Sequence, residues 1–167
     1  IGSTFLRVGE KEPYFNHMIA LNSCNKMTDV ENSKVESYRT EKSVLLAWQK
    51  IIQRENPDII IGYNIFGFDY PFLFKRAAEN NCVYEFLQLS RIRNELCGKQ
   101  DDYGNFQIEQ SSIVIASGQH DLHFIKMHGR LQIDLYNYFR RSCNLEQYKL
   151  DYVSGYFIGD DVKKIQH

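Results

Sequence analysis

One short stretch carries residue types whose spacing could do chemistry: Gly62-Tyr63-Asn64-Ile65-Phe66-Gly67-Phe68-Asp69-Tyr70-Pro71. Asp69 offers a carboxylate, the donor that hard divalent cations prefer, and Asn64 offers an amide able to reach a phosphate or a sugar. An aspartate just before a proline-started helix is also an ordinary helix cap, and spacing alone does not separate the two roles. Where a buried strand of an α/β layer hands over to a helix, ligands bind outside the strand's carboxyl end.

The elements that must position this stretch follow from the flanking pattern. Asp58 to Tyr63 is a β-branched run, as expected of a central strand buried on both faces. Before it, Thr40 can cap a helix with apolar positions Val44, Leu45, Trp48, Ile51 and Ile52, which must stop near Asn56 because Pro57 disfavours helical geometry in its predecessor. After it, Pro71 suits the first turn of a helix to about Asn80, with Phe72, Leu73, Arg76 and Ala77 as its packing face.

The remainder supplies an opening hairpin, Gly2 to Val8 and Tyr14 to Leu21 around a Gly9–Pro13 turn, then a polar loop over Asn22 to Lys34. Two extended runs between 106 and 128 meet at Ser117-Gly118-Gln119-His120, and Arg130 to Ile133 is a further strand. Helices are expected over Asp134 to Cys143 and over Tyr148 to Phe157, the latter stopping at Gly159. The order predicts an α/β fold, a mixed sheet flanked by helices.

Composition narrows the class. With 167 residues, 43% hydrophobic and 25% charged, the chain is of single-domain size and outside the disordered and collagen-like ranges. Twenty basic against 21 acidic residues leave a net charge of −1, so nucleic acid would have to be held in a local groove. The longest apolar stretch is far short of a membrane span, so no membrane partner is expected. Four scattered cysteines, Cys24, Cys82, Cys97 and Cys143, suit a reduced intracellular setting. With a strand-like start at Ile1 and no leader pattern, the chain reads as a piece of a longer protein.

Pro57 to Asn64 followed by Phe68-Asp69-Tyr70-Pro71-Phe72-Leu73 and Arg76-Ala77 resembles the second exonuclease motif of family B DNA polymerases, N-x-x-x-F-D. The resemblance extends to Glu41–Trp48, Gly129–Leu135 and Tyr148–Ser154, and its flavour is that of eukaryotic delta-type and large DNA virus enzymes. It implies a ribonuclease H-like fold with an inserted β-hairpin, here over 111 to 127. The implied activity is 3′–5′ removal of mispaired nucleotides from a melted primer, by four carboxylates from three motifs holding two divalent ions, Mg2+ or Mn2+. Residues 1–167 would be the central part of that domain.

In that family the first motif, D-x-E, lies on a strand before Ile1, and the third, Y-x-x-x-D, lies beyond His167. Tyr156 with Asp160 has the local spacing of the third motif but comes too early and straddles Gly159. On this resemblance Asp69 is catalytic and a metal ligand, Asn64 contacts the terminal nucleotides, and Phe68 supports the melted strand. Phe66 is a candidate for stacking on a base, and for both Phe66 and Phe68 core packing is the ordinary alternative. The implied partners are primer-template DNA with a single-stranded 3′ end and the rest of the polymerase chain, in the nucleus or at a viral replication site. The alternative is a non-catalytic DNA-binding or structural module on the same fold.

Other groups point elsewhere. His120 and His123 fall on opposite strand faces and, with Cys82 and Cys97, lack zinc-site spacing. Asp134 at a strand end could be a second metal ligand, but a helix cap is the simpler role, and Arg140-Arg141 suits a solvated helix face that could touch phosphate.

Overall fold

The computed structural model describes residues 1–25, 30–115 and 118–159. It is an α/β arrangement in which the sheet is divided. β1 (Gly2–Phe5) runs antiparallel to β2 (Phe15–Leu21), and β2 runs parallel to β3 (Ser33–Tyr38). β4 (Ile59–Gly62) pairs in parallel with β9 (Leu131–Asp134) as a separate two-stranded sheet. Between them in sequence lie the short pair β5 (Lys99–Gln100) and β6 (Phe106–Gln107), and the longer antiparallel pair β7 (Glu109–Ile115) and β8 (Gly118–Phe124).

Two expectations change here. β3 falls in and beyond a stretch expected to be loop, because its signal is weak: only Val35 and Tyr38 are apolar, and its Glu36 is held by the buried His17 of β2 at 3.0 Å. Gly118 to His120, expected at the junction of two extended runs, belong to β8, and Ser117 lies outside the described residues.

The first helix forms as its pattern requires. α1 (Glu41–Glu55) opens with the Ser43 amide donating to Thr40 Oγ1 at 3.2 Å, and it closes on Asn56, whose φ of 48° puts it in the left-handed region. Its buried face carries Leu45, Trp48, Ile51 and Ile52, each contributing roughly 1.5–3 kcal/mol by leaving water. Trp48 stacks on Phe86 of α3 (Val83–Phe86) at 5.9 Å between ring centroids. Around this pair sit Leu87, Leu89, Ile125, Cys82 and Cys97, all essentially inaccessible. Burial pushes the Cys97 thiol up to about 11, so it stays protonated and behaves as a small apolar side chain.

β4 is not buried on both faces. Ile59 and Ile61 are 40% and 58% exposed, and among the described residues only β9 pairs with it. The β-branched run is correct for a strand, but its outward residues lack a cover. The strand's start is fastened by Arg130, itself 8% exposed, which donates to the carbonyls of Leu89 and Pro57 and to Asn56 Oδ1. Arg91 adds bonds to Asn56 and an ion pair with Asp58 at 2.7 Å. Backbone carbonyls drawn away from solvent need donors, and the guanidinium fork supplies several at once.

Candidate active site

After β4 the chain enters a π-helical turn (Ile65–Asp69) and then α2 (Tyr70–Glu79). Asn64 makes this hand-over. Its φ of 62° is left-handed, a conformation asparagine tolerates better than other residues with a Cβ. The Phe68 amide then donates to the Asn64 carbonyl at 2.9 Å, closing the turn. The Asn64 side chain lies across Gly67, where a Cβ would come within 2.5 Å of its Oδ1.

Asp69 ends the turn and begins α2, but its carboxylate makes no capping hydrogen bond. The capping alternative is therefore not what occupies this side chain. Burial pushes the Asp69 carboxyl above its usual range, and the negative charge of Asp134 pushes the same way, while a bond to its own backbone opposes them. Such a carboxylate gains by meeting a cation.

Asp69 and Tyr70 line a cavity of about 390 Å³ between the edge of β1 and the edge of β4. Ile1 to Phe5 form one wall, Ile59 to Tyr63 the other, and Trp48, Ile52 and Leu73 contribute from the helices. Among the described residues, neither β1 nor β4 has a hydrogen-bonded neighbour on the side facing the other, so two strand edges look into one largely apolar slot.

The two phenylalanines of the motif part company. Phe66 is 9% exposed, with its ring 4.5 Å from Phe124 of β8 and 5.8 Å from Tyr70. It is a core residue, and this corrects the expectation that it stacks on a base. Phe68 is 62% exposed and lies parallel to Phe72, with centroids 5.9 Å apart at 6°. Phe72 thus joins this outer pair instead of the packing face of α2, which is left to Leu73, Ala77 and Tyr70.

A second cavity opens beside Asn64, lined by Tyr63, Tyr136, Arg140, Tyr148 and Lys149 among others. Asp134 caps α4 (Leu135–Ser142) by accepting the Tyr136 amide at 3.0 Å, as its sequence position suggests. Arg140 of that helix is not on a solvated face. It donates to the Tyr136 hydroxyl, meets His120 Nε2 at 3.1 Å, and lies over the rings of Tyr136 and Tyr148. Tyr148 stands just before α5 (Leu150–Ile158), and its carbonyl accepts the Tyr63 hydroxyl. Asp160, the partner of Tyr156 in the rejected spacing, lies outside the described residues.

The model of the DNA polymerase family B exonuclease domain matches residues 1–153. This chain belongs to that family. It is similar to the DNA polymerase of Phaeocystis pouchetii virus, at 44% identity over 99% of this chain and 16% of the viral protein. It is also similar to the DNA polymerase delta catalytic subunit of Oryza sativa subsp. japonica, at 36% identity over 95% of this chain and 13% of that protein. The exonuclease domain therefore spans a small part of the curated relatives it matches.

Among the described residues of the exonuclease domain, no three His, Cys, Asp or Glu side chains come together as a metal cage. No helix there is long and apolar enough to cross a membrane. The side chain that composition and spacing undervalued is Asp134. Its sequence position favours a cap over a metal ligand and does not show its long-range partners, Asn64 and Phe66.

Proposed function

We propose that, within its parent polymerase, this domain hydrolyses the phosphodiester next to an unpaired 3′ end and so removes mispaired nucleotides from a melted primer. The observation that supports this most is the Asp69 carboxylate: uncapped, partly buried, beside another negative charge, and facing a slot between two open strand edges. It fits one ligand position of a pair of divalent cations, Mg2+ or Mn2+. One carboxylate does not hold two ions, and the further donors are proposed to come from the parent chain.

The slot suggests how. Two unpaired strand edges flanking an apolar trough suit an added strand, whose backbone would satisfy both. We propose that this strand carries the family's first motif, which would set its carboxylates beside Asp69 and complete a ribonuclease H-like sheet. When bound, such an ion pair supplies a hydroxide-like nucleophile and offsets charge on the leaving oxygen.

The chain's own residues then have separate tasks. Asp69 holds its ligand position, set by the π-helical turn. The Asn64 amide, lying over Gly67 next to the second cavity, would meet the terminal nucleotides. The exposed Phe68–Phe72 pair gives an unpaired base an aromatic surface, while β7 and β8 pack Phe124 behind the turn and keep Phe66 dry. The proposed partners are primer-template DNA and the remaining polymerase chain, at a nuclear or viral replication site.

The test is substrate preference in the parent enzyme. Excision of a 3′-mismatched or single-stranded end should outpace excision of a fully paired blunt end, because aromatic stacking needs unpaired bases. Faster digestion of the paired duplex, or no metal-dependent excision at all, would favour a non-catalytic module on the same fold.

A further inference from the structure

Asp134 does more than a helix cap requires. It is 4% exposed, and its two oxygens accept four hydrogen bonds. Oδ1 accepts the backbone amides of Asn64 at 2.7 Å and Tyr136 at 3.0 Å; Oδ2 accepts the Phe66 amide at 3.2 Å and the Asn137 side-chain amide at 3.0 Å. A cap needs only the Tyr136 bond. The bonds to Asn64 and Phe66 reach back 70 and 68 residues to the turn that presents Asp69. Both donors stand where a helical turn leaves its first amides without an internal partner. A carboxylate is the one small side chain that can accept from both sides at once.

The register makes this reach a property of the sheet. Gly62 of β4 sits opposite Asp134 of β9, so the carboxylate emerges level with the last residue of β4. Gly62 leaves the corner open, since a Cβ there would lie 2.3 Å from Ile65 Cγ2. The π-helical turn is thus gripped at its start by Asp134 and at its centre by the packing of Phe66 on Phe124.

We propose that Asp134 is a positioning residue for excision: it fixes the backbone of Asn64 and Phe66 and thereby the direction in which the turn offers Asp69 and the Asn64 amide, without touching substrate. This rests on Asp69 being the carboxylate that serves excision. The role is carried by geometry: Asp134 bonds the turn's first amides, and the Phe68 amide closes the same turn on the Asn64 carbonyl. Groups that orient a ligand-bearing residue typically matter by about 10–100-fold in activity.

The experiment uses the parent polymerase with Asp134→Asn, which keeps the shape but turns one acceptor oxygen into a donor. The excision kcat should fall about 10–100-fold while KM for a single-stranded 3′ end stays within about twofold. Amide hydrogen exchange at the turn should accelerate, and polymerisation should not change. Asn137→Ala leaves the carboxylate and both turn bonds in place and should keep excision within about threefold of wild type.

Should Asp134→Asn fail to fold, Asp134→Ser carries the same test, because serine still caps α4 but cannot reach the turn. Turn amides that exchange faster with kcat unchanged would overturn the proposal. So would a kcat that falls only in proportion to the folded fraction. The reading of Asp69 fails separately, through an Asp69→Ala enzyme that still excises.

Discussion

The Asp134 carboxylate accepts the Asn64 amide at 2.7 Å, tying the end of β9 to the corner that follows β4. At the other end of the same strand pair, Arg130 binds Asn56 Oδ1 at 2.9 Å and the Pro57 carbonyl at 2.7 Å. Two four-residue strands have few ladder bonds of their own, so these end fastenings set where the strand points. Asn56 and Asn64, the residues bounding the segment, both have positive φ. The chain enters and leaves β4 through left-handed corners, each locked by a charged side chain from the other end of the sequence. A carboxylate presented from such a frame is held by the fold and not by its own local helix.

In the parent polymerase, Asp69→Ala should abolish mismatch excision and leave polymerisation within about twofold. Because Asp69 makes no capping bond, the substitution should move stability by no more than about 0.5 kcal/mol. Primer-shortening assays with a 3′ mismatch, beside extension assays and thermal melting, check this. A melting temperature several degrees lower would return Asp69 to a structural role.

Much of the fold around the candidate site is legible in the sequence. Thr40, Asn56 and Pro57 bound α1, Pro71 marks α2, and N-x-x-x-F-D picks out Asn64 and Asp69, because caps, prolines and motifs are local signals. What was not legible depends on contacts far apart in sequence. β3 is specified mainly by pairing with β2, and the exposure of Ile59 and Ile61 by the open side of β4. Which of Phe66 and Phe68 faces inward depends on the π-helical turn, whose extra residue defeats the usual helical spacing. Asp134 shows the same limit: its cap is local and was seen, whereas its grip on the turn was not.

The two motif phenylalanines should separate cleanly. Phe66→Ala should cost about 3–5 kcal/mol, since its ring fills the core against Phe124 and Tyr70. Phe68→Ala should leave the melting temperature nearly unchanged and weaken binding of single-stranded ends by about 1–3 kcal/mol. Denaturant unfolding and fluorescence-anisotropy titration with an oligonucleotide measure the two effects. Equal loss of stability in both variants would show that the outer pair is also part of the core.

Acid should destabilise the domain partly through Glu36. The Lys34 ammonium, then His17, hold the Glu36 carboxyl below its ordinary value of 4.5, with burial opposing them. A depressed carboxyl contributes stability that is present above its unfolded value and is lost as pH falls through its folded one. Wild type should therefore melt above Glu36→Gln at pH 6, and the difference should shrink as pH is lowered below about 4.5. Melting curves of both proteins across that range provide the check, and a gap that widens on acidification would contradict the assignment.

Asn64 has a backbone role and a side-chain role, and two substitutions pull them apart. Its φ of 62° costs most residues with a Cβ about 1–2 kcal/mol, a penalty that glycine escapes. Asn64→Ala should thus lose about 1 kcal/mol of stability, whereas Asn64→Gly should fold nearly as well as wild type. Neither change removes the backbone amide that Asp134 accepts, so the turn stays gripped in both. If the Asn64 amide group meets the terminal nucleotides, excision per folded molecule should drop to a similar degree in both variants, by about 10-fold for one lost hydrogen bond. Single-turnover excision corrected for folded fraction is the measurement. A glycine variant that melts like wild type and excises like wild type would confine Asn64 to shaping the corner and leave substrate contact to Phe68 and Asp69.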